Sequence, residues 1–116
     1  MTHIHIAIIC VAVLHLLFLL LEMLFWKHPS GRRITGLTLE QARQTATLAA
    51  NQGLYNGFLA AGLVWGLIIG DFATKAFFLI CVLIAGLYGG LTTKRTILYL
   101  QALPGLLALV FLYLTK

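Results

Sequence analysis

Leu48-Ala49-Ala50-Asn51-Gln52-Gly53-Leu54-Tyr55-Asn56-Gly57 places three side-chain amides and a phenol within six residues, inside an apolar run that extends from Thr45 to Ile69. A run of that length reads as a membrane-spanning helix, since about 20 residues cover about 30 Å of hydrocarbon. Polar groups at that depth are costly unless they face protein or water. The stretch therefore predicts a span and, along one side of it, a lined cavity.

Working outward, further apolar runs give spans at about 4–26, 41–69, 72–91 and 97–114, which consume nearly all of the 116 residues. The chain is 61% hydrophobic and 9% charged, with a mean hydropathy of +1.00. Soluble domains carry roughly 45–50% apolar residues. The expectation is an all-α integral membrane four-helix bundle, with residues 1–116 forming a single four-span domain and no room for a soluble one. The first run has no basic segment before it and ends in Phe25-Trp26-Lys27 instead of a small-residue cleavage site, so it is expected to be a retained helix. Cys10 and Cys81 are single residues in separate spans, without CxxC or paired histidines at ligand spacing. They read as small packing hydrophobes, and neither a metal site nor a disulfide framework is expected.

With four spans, Lys27, Arg32, Arg33, Arg43, Lys94 and Arg95 fall on one side and Lys75 and Lys116 on the other. The positive-inside rule makes the first side cytoplasmic and puts both termini outside. The net charge of +5 then calls for anionic lipid, not nucleic acid, as its partner.

Within the first span, His15 and Glu22 are seven residues apart and share a face. Counted from Trp26 as an interfacial anchor, Glu22 lies about one turn inside the cytoplasmic boundary and His15 near the midplane. Lys27-His28-Pro29-Ser30-Gly31-Arg32-Arg33 has the chemistry of a turn-rich loop. Thr38 with Gln41 fits a capping box that opens the second helix near Leu39. That helix would be about 46 Å long by its rise per residue, so its first turns are expected to protrude into the cytoplasm or lie in the interface. At 100° per residue Glu40, Gln44, Thr47, Asn51 and Tyr55 form one polar stripe, and Gln41, Thr45, Gln52 and Asn56 a second. Beyond Gly57 the helix is apolar, so the groove is closed outward and open to the cytoplasm. Asp71 and Lys75 read as a capping and anchoring pair at the start of the third span. Pro104-Gly105 predicts a kink that frees a carbonyl in the fourth.

Placed by depth, Glu22, Arg43, Gln44, Asn51, Gln52, Tyr55, Asn56, Tyr88 and Gln101 all map to the cytoplasmic half and are the expected ligand-binding set, with His15 at the floor. A carboxyl, an imidazole and a phenol among amides can bind a polar head group or move a proton, so Glu22, His15 and Tyr55 are the candidates for catalysis. The residues identify no cofactor and no metal. The expected ligand is a small amphipathic or lipid-like molecule. Four thin, Gly-rich helices enclose little volume, so a neighbouring copy, in a dimer or trimer, is expected to complete the site.

Glu22-Met23 with Phe25-Trp26, then Pro29-Ser30-Gly31-Arg32, and above all Asn51-Gln52-Gly53-Leu54-Tyr55-Asn56-Gly57-Phe58-Leu59-Ala60-Ala61-Gly62, resemble the domain of unknown function 1304 family of small bacterial integral membrane proteins. The resemblance covers essentially the whole chain and implies a four-helix protein of the bacterial inner membrane, without implying an activity. A second resemblance is to the membrane-associated eicosanoid and glutathione metabolism proteins, four-helix trimers that hold glutathione near the cytoplasmic face. Arg43 and Asn51 look similar to that family's second-helix arginine and asparagine, while Gln52, Tyr55 and Asn56 stand where it has a glutamate. That resemblance implies a transferase or isomerase using a thiol cosubstrate, with glutathione as cofactor. Glu22 as the one glutamate of the first helix is similar to the small multidrug resistance transporters, which implies proton-coupled transport.

Overall fold

The computed structural model describes residues 3–116. Its elements are α1 (His3–Met23), α2 (Pro29–Thr35), α3 (Leu39–Ile69) and α4 (Phe72–Thr92), then a π-helical segment (Leu98–Ala102) running into α5 (Leu103–Leu114). The protein is all-helical across the described residues. Three helices, α1, α3 and α4, are long and apolar enough to cross a membrane, and Leu98–Leu114 forms a shorter apolar helix.

Helix ends follow from local chemistry. The capping box at α3 is present: Gln41 N–H donates to Thr38 Oγ1 at 3.1 Å, and Thr38 N–H donates to Gln41 Oε1 at 3.0 Å. The helix it opens has 31 residues, as its apolar and polar pattern predicts. Thr38→Ala is expected to cost about 1 kcal/mol of helix stability, checked as faster amide hydrogen exchange at Gln41. Gly70, at φ +64°, takes the left-handed position after α3, and Asp71 N–H reaches back to Gly66 C=O at 3.2 Å. Asp71 then caps α4 by accepting from Thr74 N–H at 2.8 Å and Thr74 Oγ1 at 2.6 Å. These two bonds hold its carboxyl below the usual carboxylate range, with the charge of Lys75 a smaller influence. Lys75 instead lays its stem over Gly66, whose added Cβ would lie 2.8 Å from Lys75 Cγ.

Three details go beyond the sequence expectation. The first helix ends at Met23, three residues before Trp26, as Leu24 and Phe25 N–H both close on Leu20 C=O. The turn-rich loop after it contains a helix, α2. Pro29 sits at its first position, where a missing N–H costs nothing, His28 Nδ1 accepts from Ser30 N–H at 3.1 Å, and Gly36 at φ +78° stops it. Pro, Ser and Gly thus act as start and stop signals for one short helix. Ahead of Pro104 lies a π turn that the sequence reading does not include, with Leu103 N–H bonding Leu98 C=O. Pro104 cannot donate to Leu100 C=O, and widening the preceding turn shifts the bonding register ahead of that gap.

The chain divides into two compact units, one of His15–Phe58 and the other of the chain up to Leu14 with Leu59–Lys116. In the larger unit Ile8, Leu63, Leu79 and Val82 are fully buried, with Ala108 and Leu112 packed on them. Helices approach there through glycine: a Cβ on Gly62 would run into the Phe78 ring, and one on Gly86 would lie 2.7 Å from Ala102 N. In the smaller unit the C-terminal part of α1, α2 and the first two thirds of α3 pack together, and Gly31 rests directly on the Phe25 carbonyl.

Candidate functional site

The smaller unit brings a carboxyl to an amide. Glu22, on the last turn of α1, is 8% exposed, and its Oε1 accepts from Asn56 Nδ2 at 2.5 Å. Two glycines on α3 make the approach: a Cβ on Gly53 would lie 2.7 Å from Met23 Cγ and 3.0 Å from Glu22 Cβ, and one on Gly57 would lie 2.7 Å from Leu19 Cδ1. With the helices that close, the residue about 60° round α3 from Gly53, which is Asn56, reaches α1. Further along the same flank, Trp26 Nε1 donates to Thr45 Oγ1 at 2.9 Å, and Thr45 Oγ1 donates to Gln41 C=O at 2.8 Å. This second tie joins the two ends of the loop.

Gln52 lies about 100° from Gly53, one turn from Asn56 on the same flank, and is exposed. Asn51 and Tyr55 lie about 160° from Gly53, on the opposite side, and are exposed, as are Arg43 and Gln44. Gln44 Nε2 donates to Glu40 Oε1 at 3.2 Å, along the helix surface. Tyr55 packs edge-on to Phe58 with ring centres 5.7 Å apart. His15 is completely buried, its ring edge-on to Phe18 at 5.3 Å.

Tyr88 and Gln101 belong to the larger unit. Gln101 is buried and donates from Nε2 to Val82 C=O at 3.1 Å, beside the contact of Gly86 with Ala102. Tyr88 is 72% exposed. An apolar groove of about 310 Å³ in this unit is lined by Leu83, Leu87, Leu98, Tyr99, Ala102, Leu103 and Leu106, and neither Tyr88 nor Gln101 contributes to it. Of the nine residues grouped by depth, the structure joins Glu22 and Asn56 by a direct bond. Thr45 was legible only as a stripe member. Its partner Trp26 carried the signal of an interfacial anchor, but no local pattern pairs residues 19 apart.

A family profile described as "Protein of unknown function (DUF1304)" matches residues 9–113. The chain belongs to the DUF1304 family. The match runs from α1 to α5 and so takes in both ties of the smaller unit. A relative, "Uncharacterized protein YpaA" of Lactococcus lactis subsp. lactis (strain IL1403), is 28% identical over 94 residues, covering 78% of this chain and 79% of the relative. No solved structure matches the chain. The DUF1304 description assigns no chemistry.

Proposed function

We propose that this DUF1304 chain is a four-span protein of the bacterial inner membrane, with both termini outside. Glu22, Gln52 and Asn56 hold the polar head of a small amphipathic molecule entering from the cytoplasmic side. The observation that carries the reading is the Glu22–Asn56 hydrogen bond on the last turn of a spanning helix. A carboxyl that deep is kept only where it is partnered and useful, because the cost of placing it there is several kcal/mol. Gln52, one turn nearer the cytoplasm, adds an exposed donor and acceptor on the same flank. Leu24, 67% exposed, supplies apolar surface for a tail. The fourth span is Leu98–Leu114, whose length is at the lower end of what crosses the hydrocarbon core.

Native mass spectrometry of the protein released from lipid nanodiscs tests this. The wild type is expected to carry a bound mass that Gln52→Ala reduces severalfold and Asn56→Ala abolishes. A bare wild-type protein, or equal occupancy in all three, refutes the reading. Bound glutathione would replace it with the thiol-transferase reading, and proton-coupled flux in liposomes that Glu22→Gln abolishes would replace it with transport.

A further inference from the structure

We propose that a second copy of this chain docks against the α3 face carrying Thr47, Asn51 and Tyr55, about an axis along the membrane normal. This rests on the side of α3 opposite Glu22 and stands independently of the ligand. The stripe lies roughly 120–160° round the helix from Gly53, which faces α1. In one chain Thr47, Asn51 and Tyr55 are all exposed.

Depth decides what can cover them. The Trp26–Thr45 bond sets Thr45 at the level of an interfacial tryptophan. Asn51 and Tyr55, six and ten residues further along α3, are then about 9 Å and about 15 Å deeper by helical rise. At those depths an amide facing lipid is left unsatisfied, at a cost of a few kcal/mol. Lipid is therefore a poor cover, and within the smaller unit α1 and α2 leave the face open.

The close-approach glycines of α3, of the kind that often make membrane interfaces, are occupied within the chain. Gly53 and Gly57 seat α1, while Gly62 and Gly66 seat α4. What remains is a stripe of groups that each donate and accept. About an axis along the membrane normal, two copies of the same topology bring each residue to its own image at the same depth. Like charges would repel there. A hydroxyl, an amide and a phenol instead pair with themselves. Leu48 and Phe58, 74% and 52% exposed, flank the stripe and supply apolar packing around it.

Cross-linking in native membranes with a bis-maleimide, in a Cys10→Ser/Cys81→Ser background, tests the face. Thr47→Cys is expected to give a dimer band at least fivefold stronger than Leu91→Cys, whose position is 77% exposed on α4. Single-molecule photobleaching in nanodiscs is expected to show more than one copy of the wild type and of Asn51→Gln. For Asn51→Leu the association should weaken roughly 3- to 20-fold, the range for one interhelical hydrogen bond. A monomeric wild type in lipid, cross-linking no stronger than at Leu91, or Asn51→Leu associating as tightly as wild type overturns the proposal. Because Asn51 lies away from Glu22 and Asn56, failure here leaves Gln52-dependent ligand retention as a separate result.

Discussion

Gly86→Ala is expected to lower the stability of the protein by about 2 kcal/mol, even though alanine is the better helix former by about 1 kcal/mol. A Cβ at Gly86 would lie 2.7 Å from Ala102 N and 2.9 Å from Ala102 Cα, with Gln101 Cγ at 3.0 Å. Two of those three neighbours are backbone. A side chain can rotate away from an added methyl, whereas backbone can yield only if one helix moves off the other. Such movement also lengthens the bond from Gln101 Nε2 to Val82 C=O, one turn from Gly86 on the same helix. Gly89→Ala is the matched control. Its Cβ would meet only the Ile97 side chain, at 3.5 Å, an ordinary contact. That variant keeps the propensity gain without the clash and should be neutral or up to about 1 kcal/mol more stable. Unfolding of both variants in mixed micelles, followed by tryptophan fluorescence, checks the pair. Equal stability would show that α4 and the π turn are not in close contact at Gly86.

Asn56→Leu is expected to cost about 1.5–3 kcal/mol, because it strands a buried carboxyl that has been accepting an amide hydrogen bond. Glu22 is 8% exposed, so water offers little replacement. The test is the cycle through Glu22→Leu and the double variant. Removing both partners leaves two apolar groups facing each other, so the double variant should be more stable than Asn56→Leu alone, with a coupling of about 0.5–3 kcal/mol. Additive losses would mean that the two side chains act separately. Glu22→Gln keeps an acceptor in place and should cost less than Glu22→Leu in the same micelle assay.

The polar run from Asn51 to Asn56 shows how far local pattern reaches. Its composition and its place in an apolar helix were readable, and so was the division of α3 into two polar stripes. The partners of the stripes were not. Asn51 and Asn56 are the same residue type five positions apart, yet one bonds Glu22 and the other lies exposed. The difference is angular. Gly53 and Gly57 turn one side of α3 onto α1, which brings Asn56 round to Glu22 and carries Asn51 to the far side. Gln101 illustrates the same limit. Its depth along the chain matched that of Glu22, but its amide is committed to a carbonyl of α4 in the other compact unit.

Sequence alone determined what depends on near neighbours. The long apolar helices α1, α3 and α4, the Thr38–Gln41 box, the Asp71 cap and the glycine stop at Gly70 all use bonds between residues a few positions apart. Each is governed by helix length, hydropathy and orphan end groups that the local order of residues specifies. Tertiary structure decided which faces meet: Asn56 against Glu22, Trp26 against Thr45, and Gly86 against Ala102. Those outcomes depend on how closely two helices can approach. That distance is set by glycines in one helix and side chains in another, residues 15 to 38 positions apart.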